Sequence, residues 1–178
     1  SIAAAVFAPG SIKVGLNQKQ KFDFRLEALS KKNEISHVLA HTASSDTLAT
    51  AELCKKIKEN APNFFDECLQ TTSKKKIRHF LNQNNIFCQA PMFDQRYIFT
   101  ELFFDEKKGD ILCYNLNHDP ADFVDLSVQE LTKIFRSKQS PFKILKNNKH
   151  LLLFSLKYRK YVSDLSDQQL IKNADAIR

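Results

Sequence analysis

His41 and Asp46 are the two residues of this 178-residue chain whose types and spacing best suit chemistry at a phosphate. They lie within residues 36–53, which read as a loop running into a helix. Numbered at about 100° per residue from Asp46, residues Ala49, Thr50, Leu53 and Ile57 all fall within about 60° of it. That stripe is expected to face the interior, while Lys55, Lys58 and Glu59 point away. Leu48 falls on the far side, which suggests a helix covered on two sides. An ionised carboxylate on a buried stripe is costly unless it is paired or bound to a metal. Asp46 therefore needs a partner.

In one continuous helix His41 would point about 140° away from Asp46. The two can serve one site only if the helix starts between them, and Thr42 or Ser44 supplies an N-cap for that start. Asp46 would then sit on a rigid first turn, with His41 on the lip before it. This suits a histidine that activates water beside a metal-holding carboxylate. The same spacing also fits a capped helix with a salt-bridged Asp46 and a surface His41.

The elements around this pair follow from local signals. Pro9-Gly10 and the polar run of residues 17–21 mark residues 8–23 as a loop. Phe24 to Leu29 reads as a short helix with Leu26 and Leu29 inward. The helix carrying Asp46 should run to about Glu59, where Asn60-Ala61-Pro62 stops it. Residues 63–83 read as mainly helical, with one apolar cluster of Phe64, Phe65 and Leu69 and another of Ile77, Phe80 and Leu81. Thr72 or Ser73 can cap the second of these helices, which carries Lys74, Lys75, Lys76, Arg78 and His79. That basic face is either a solvated surface or a phosphate-contacting edge.

From Ile86 the pattern turns to strands. Residues 97–104 and 111–116 flank a turn in which Gly109 can take positive φ, a hairpin signal. Ser127 with Glu130 forms a capping box, and Leu126 with Leu131 a hydrophobic staple, opening a helix. Residues 142–146, the turn Asn147-Asn148 and residues 149–156 read as a second hairpin. Residues 165–170 repeat the cap-and-staple pattern. The expected fold class is α+β, ending in a small, strongly curved antiparallel sheet or barrel with inserted helices.

The net charge of +7 favours polyanionic partners, without separating DNA from RNA or from an acidic protein tail. With 15 Phe and only 3 Gly, the composition argues for packed cores over low complexity. No apolar run is long enough for a bilayer helix. Residues 1–8 lack a basic leader and read as the end of a buried helix whose beginning has been cut off. Cys54, Cys68, Cys88 and Cys113 are widely spaced, which suits reduced, cytoplasmic cysteines and argues against structural zinc.

Phe24-Arg25-Leu26-Glu27-Ala28-Leu29-Ser30, followed by Asn33, Ile35, His37, Ala40-His41, Ala43, Asp46 and Ala49-Thr50, together resemble the bacterial exonuclease I family. The family's pattern, F-[KR]-L-E-x-L, a spacer, then A-H-x-A-x-x-D-x-x-A-T, is present almost unbroken. Looser matches continue through Met92-Phe93, Tyr97, Pro141-x-Lys143 and Asn148-Lys149, so the resemblance covers nearly the whole chain. It implies a DEDD-type exonuclease that uses two Mg²⁺ ions to release 5′-mononucleotides from the 3′ end of single-stranded DNA. It makes His41 the general base and Asp46 the last of four acidic metal ligands. It also implies the C-terminal helical part of a ribonuclease H-like nuclease domain over residues 1–61. A Src-homology-like barrel with leading helices would occupy 62–162, and a C-terminal helical segment would begin at 163–178.

The same resemblance implies two partners, single-stranded DNA and the acidic tail of single-strand-binding protein, and no membrane. Tyr97 is where the barrel would stack a base, unless it is a core tyrosine. Lys143 and Lys149 would line a DNA groove, unless they are solvated strand positions. The family's Asp-x-Glu pair and second Asp have no counterpart here, so the chain alone is expected to cut nothing. Ala8-Pro9 replaces an Arg-Pro of the family's substrate loop, and Glu67 stands in place of a stacking Tyr. Both changes are expected to weaken DNA contacts and favour an alternative, a non-catalytic DNA- or protein-binding module. A proofreading or oligoribonucleotide-degrading relative would fit the helix but not the barrel.

Overall fold

The computed structural model describes residues 1–37, 42–90, 97–146 and 151–178. Two compact units divide the chain, Ser1–Leu69 and Gln70–Arg178. The first holds helices α1 (Ile2–Phe7), α2 (Leu26–Lys32), α3 (Ala43–Asn60) and α4 (Pro62–Cys68). It also holds a two-stranded antiparallel ribbon, β1 (Gly15–Leu16) with β2 (Phe22–Asp23). The expected loop at 8–23 thus contains this ribbon, turned through Gln20 at φ 57°. The side chain of Asn17 organises the turn by accepting from the backbone N–H groups of Lys19 and Lys21.

Helix α3 packs against both α2 and α4. Ala49, Leu53 and Ile57 form its buried stripe, and Lys55, Lys58 and Glu59 are exposed, as the periodicity requires. Two positions depart from that expectation. Thr50 is exposed, its hydroxyl turned back to donate to the Asp46 carbonyl at 2.7 Å. Leu48 is 67% exposed, so its side of the helix is not covered. Because α4 packs on α3, the first unit extends past residue 61 to Leu69.

The second unit contains α5 (Lys74–Gln83) and five strands: β3 (Ile86–Gln89), β4 (Tyr97–Phe104), β5 (Ile111–Asn115), β6 (Phe142–Leu145) and β7 (Leu153–Ser155). It also holds α6 (Val128–Phe135) and α7 (Asp167–Ile177). The strands form one antiparallel sheet in the order β6-β5-β4-β3-β7. The β4–β5 hairpin forms as expected, with Gly109 at φ 73°. Ser127 and Glu130 complete the capping box of α6, and Ser166 caps α7. The terminal helix belongs to this unit, where Asn173 Nδ2 donates to the Leu116 carbonyl at 3.2 Å.

The second expected hairpin does not form. β6 pairs with β5 and β7 with β3, so the two occupy opposite edges of the sheet. The aromatic contact of Phe142 with Tyr114, ring centres 5.3 Å apart, accompanies the β6–β5 pairing. Leu145 of β6 and Leu153 of β7 nevertheless lie in one buried cluster with Phe80, Phe87 and Phe99. A flat sheet would hold its edge strands too far apart for that, so the sheet is strongly curved. Leu69 also departs from its expected apolar cluster, being 45% exposed.

All four cysteines are free thiols. Burial pushes the Cys68 thiol up to about 11, so its thiolate is scarce at neutral pH. Its alkylation by iodoacetamide is expected to rise about tenfold per pH unit from pH 7 to 9, read by mass spectrometry. A rate that levels off near pH 9 contradicts this environment. Phe87→Ala is expected to cost about 3–5 kcal/mol in chemical unfolding. The exposed Val128→Ala should stay within about 0.5 kcal/mol.

Candidate active site and nucleic-acid interface

Helix α3 begins where the sequence places it. Thr42 is the N-cap, its Oγ1 accepting from the Ser45 backbone N–H at 3.4 Å, and the Asp46 N–H donates to the Thr42 carbonyl at 2.9 Å. The carboxylate therefore stands on the first turn, where the helix dipole favours negative charge. Its side chain is 43% exposed, at the border of the buried stripe and not within it. That corrects the expectation of a fully inward carboxylate and leaves an oxygen donor within reach of a ligand.

The partner that Asp46 needs is an imidazole, that of His37. Its Nε2 lies 2.7 Å from Asp46 Oδ1, and the histidine side chain is only 7% exposed. His37 belongs to the motif but carried no assigned role in the sequence. A histidine in the strip leading into a capped helix is the signal that pointed to it. His41 and Lys149 lie outside the described residues.

The approach to this strip is fixed from α2. Asn33, just after the helix, donates through Nδ2 to the carbonyls of Lys13 and Leu29, both at 2.8 Å. Its Oδ1 accepts from the Lys13 N–H at 2.8 Å, so one amide clamps two segments. At the other end of α2, Arg25 makes a two-pronged contact with Asp23, Nε to Oδ1 at 2.9 Å and Nη2 to Oδ2 at 2.6 Å. Hydrogen bonding to that guanidinium holds the Asp23 carboxyl below the usual carboxylate range.

A two-metal site needs several oxygen donors around each ion. Among the described residues no group of three or more His, Cys, Asp or Glu side chains could hold a metal. The chemistry of Asp46 fits a single ligand of such a site, and the described residues do not complete it.

In the second unit, two of the expected nucleic-acid contacts come together. The Lys143 ammonium lies 5.9 Å from the centre of the Tyr97 ring, within cation–π range. Tyr97 in turn stacks on Phe99 with ring centres 5.2 Å apart. Desolvation raises its phenol pKa. Tyr97 is thus half-buried, with its ring between the core and a cation.

Lys74 and Arg78 line a separate open groove of about 420 Å³ with Lys75, His79 and Phe104. Arg78 is committed within it, its Nη1 2.9 Å from Glu101 and its guanidinium 4.8 Å from the Phe104 ring centre. Lys74 Nζ donates to the Lys108 carbonyl at 3.2 Å. The positions that depart from the family pattern are both buried, Ala8 at 9% and Glu67 at 4% exposure. Glu67 therefore does not place an anion on a solvent-facing path, which corrects the repulsion expected of it.

Known proteins place these features in context. No protein-family model matches the chain. Exodeoxyribonuclease I of Buchnera aphidicola subsp. Baizongia pistaciae is 26% identical over 156 residues, covering 88% of this chain and 32% of that protein. Exodeoxyribonuclease I of Escherichia coli K12 is 37% identical over 67 residues, 35% of this chain and 14% of that protein. The chain thus spans about a third of the Buchnera relative's length. Among solved structures, E. coli exonuclease I in complex with a dA16 oligonucleotide superposes with a TM-score of 0.77 at 21% identity. That match covers 99% of this chain and 42% of the other. Exonuclease I from Methylocaldum szegediense gives 0.76 at 18% identity, covering 98% of this chain and 41% of its own. An ExoI/SSB-Ct complex gives 0.74 at 21% identity, covering 98% and 41%. The structures establish the shared fold and the curated proteins the shared sequence: this chain is a relative of the bacterial exonuclease I proteins, matching a section of their length.

Proposed function

We propose that this chain is the C-terminal portion of a 3′→5′ exonuclease that degrades single-stranded DNA to 5′-mononucleotides, and that its second unit is the barrel following the nuclease domain. The observation that carries the reading is the Asp46 carboxylate, held at 2.7 Å by a buried imidazole on the first turn of a capped helix. It falls inside the motif that resembles the family's active site. Asp46 contributes one oxygen ligand, and His41 takes the proton from the attacking water. Divalent ions, Mg²⁺ by family resemblance, would supply stabilisation of charge on the phosphate and the departing 3′ oxygen when bound.

Tyr97 and Lys143 offer a base-stacking ring beside a cation for the strand, and Lys74 and Arg78 with Lys149 add backbone contacts. Single-stranded DNA and the acidic tail of single-strand-binding protein are the proposed partners, in keeping with a net charge of +7. Among the described residues no helix is long and apolar enough to cross a membrane. The cytoplasm is the proposed location. A second reading, a DNA-binding module without hydrolysis, is favoured by the Tyr97–Lys143 pair, which binds without needing metal.

The isolated chain is expected to leave 5′-labelled single-stranded DNA intact in the presence of Mg²⁺, because it offers one acidic ligand; robust hydrolysis contradicts the reading. In a longer protein carrying the upstream Asp-x-Glu and second Asp, Asp46→Asn and His41→Ala are each expected to lower kcat at least about 100-fold. Wild-type rates in both variants would leave only the binding-module reading.

A further inference from the structure

We infer that His37 is a positioning residue, which donates its Nε2–H to Asp46 and so fixes the carboxylate in the orientation that leaves its second oxygen toward the site. This rests on the reading of Asp46 as a metal ligand and adds a residue to it. Three observations support the assignment. The 2.7 Å contact to Oδ1 is within the short range of charge-assisted hydrogen bonds. The histidine is 7% exposed, whereas the aspartate is 43% exposed, so the rigid partner is the imidazole and the accessible one the carboxylate. Finally, Nδ1 of His37 is buried without a hydrogen-bond partner among the described residues.

That last fact selects the tautomer. A carboxylate oxygen only accepts, so Nε2 must carry the proton. A hydrogen on Nδ1 would be a buried donor with nothing to bond, whereas a bare ring nitrogen there loses less. The neutral Nε2–H form satisfies both ends. A side chain on a helix first turn otherwise samples several rotamers, and a bond to a buried ring removes that freedom. Orientation of a ligating carboxylate by a fixed hydrogen bond is worth about 10–100-fold in metal affinity where it has been tested in other proteins.

The test uses the 178-residue chain with Mn²⁺ as the probe, followed by paramagnetic broadening of the backbone amides of residues 44–48. In the wild type these amides are expected to broaden first, and Asp46→Asn to abolish the effect. His37→Leu should raise the Mn²⁺ concentration for half-broadening about tenfold. His37→Gln, which keeps an N–H donor, should stay within about threefold of wild type. The methyl signals of Leu53 and Ile57 report whether the fold beneath is intact in each variant. Histidine ¹⁵N spectra of the wild type should show the Nε2–H tautomer for His37.

Persistent broadening in Asp46→Asn overturns the metal-ligand reading itself. Loss in Asp46→Asn with wild-type behaviour in His37→Leu overturns only the positioning role. Equal weakening by Leu and Gln, or an Nδ1–H tautomer in the wild type, overturns it as well, because packing and not donation would then be responsible.

Discussion

A carboxylate on the first turn of a long helix, hydrogen-bonded to a buried imidazole, is the constraint on which the first unit depends. Hydrogen bonds to charged groups contribute about 1.5–3 kcal/mol when shielded, and less where the acceptor is nearly half exposed, as Asp46 is. Its value is therefore more orientational than energetic. Burial of Ala49, Leu53 and Ile57 holds α3 in place, and the Asn33 clamp holds the strip leading to His37. Each of these makes the 2.7 Å contact a consequence of packing elsewhere in the same unit.

The second unit solves a different problem. Its short edge strands, β6 and β7, contribute Leu145 and Leu153 to a single core, which only a curved sheet allows. Curvature gathers Tyr97 and Lys143 from different strands into one cation–aromatic contact. Basic charge is not spread evenly over this unit. Arg78 is neutralised by Glu101 and stacked on Phe104, so Lys74 and Lys75 carry the positive character of their groove.

Local signals in the sequence were legible where one segment decides its own structure. The Thr42 cap, the end of α3 before Pro62, the Gly109 turn and the Ser127–Glu130 capping box all form as short-range chemistry requires. Pairings between distant segments were not. Phe142 to Leu145 and Leu153 to Ser155 look like two arms of one hairpin, yet each has a better partner in a strand far along the chain. Periodicity placed Asp46 inward but could not show how deep, because Thr50 on the same stripe turns its hydroxyl back on the helix. The partner of Asp46 depends on the path from α2 to α3, which spacing alone does not define. His37, nine residues away, was therefore visible as part of a motif but not as the group that holds the carboxylate.

Anomalous X-ray diffraction from crystals of this chain soaked in Mn²⁺ tests the central claim most directly. The account predicts a peak at about 2.1–2.2 Å from the Asp46 carboxylate oxygen that His37 does not hold, with the His37 contact retained. Manganese bound elsewhere and absent from Asp46, or an Asp46 side chain released from His37 and turned into solvent, would contradict it.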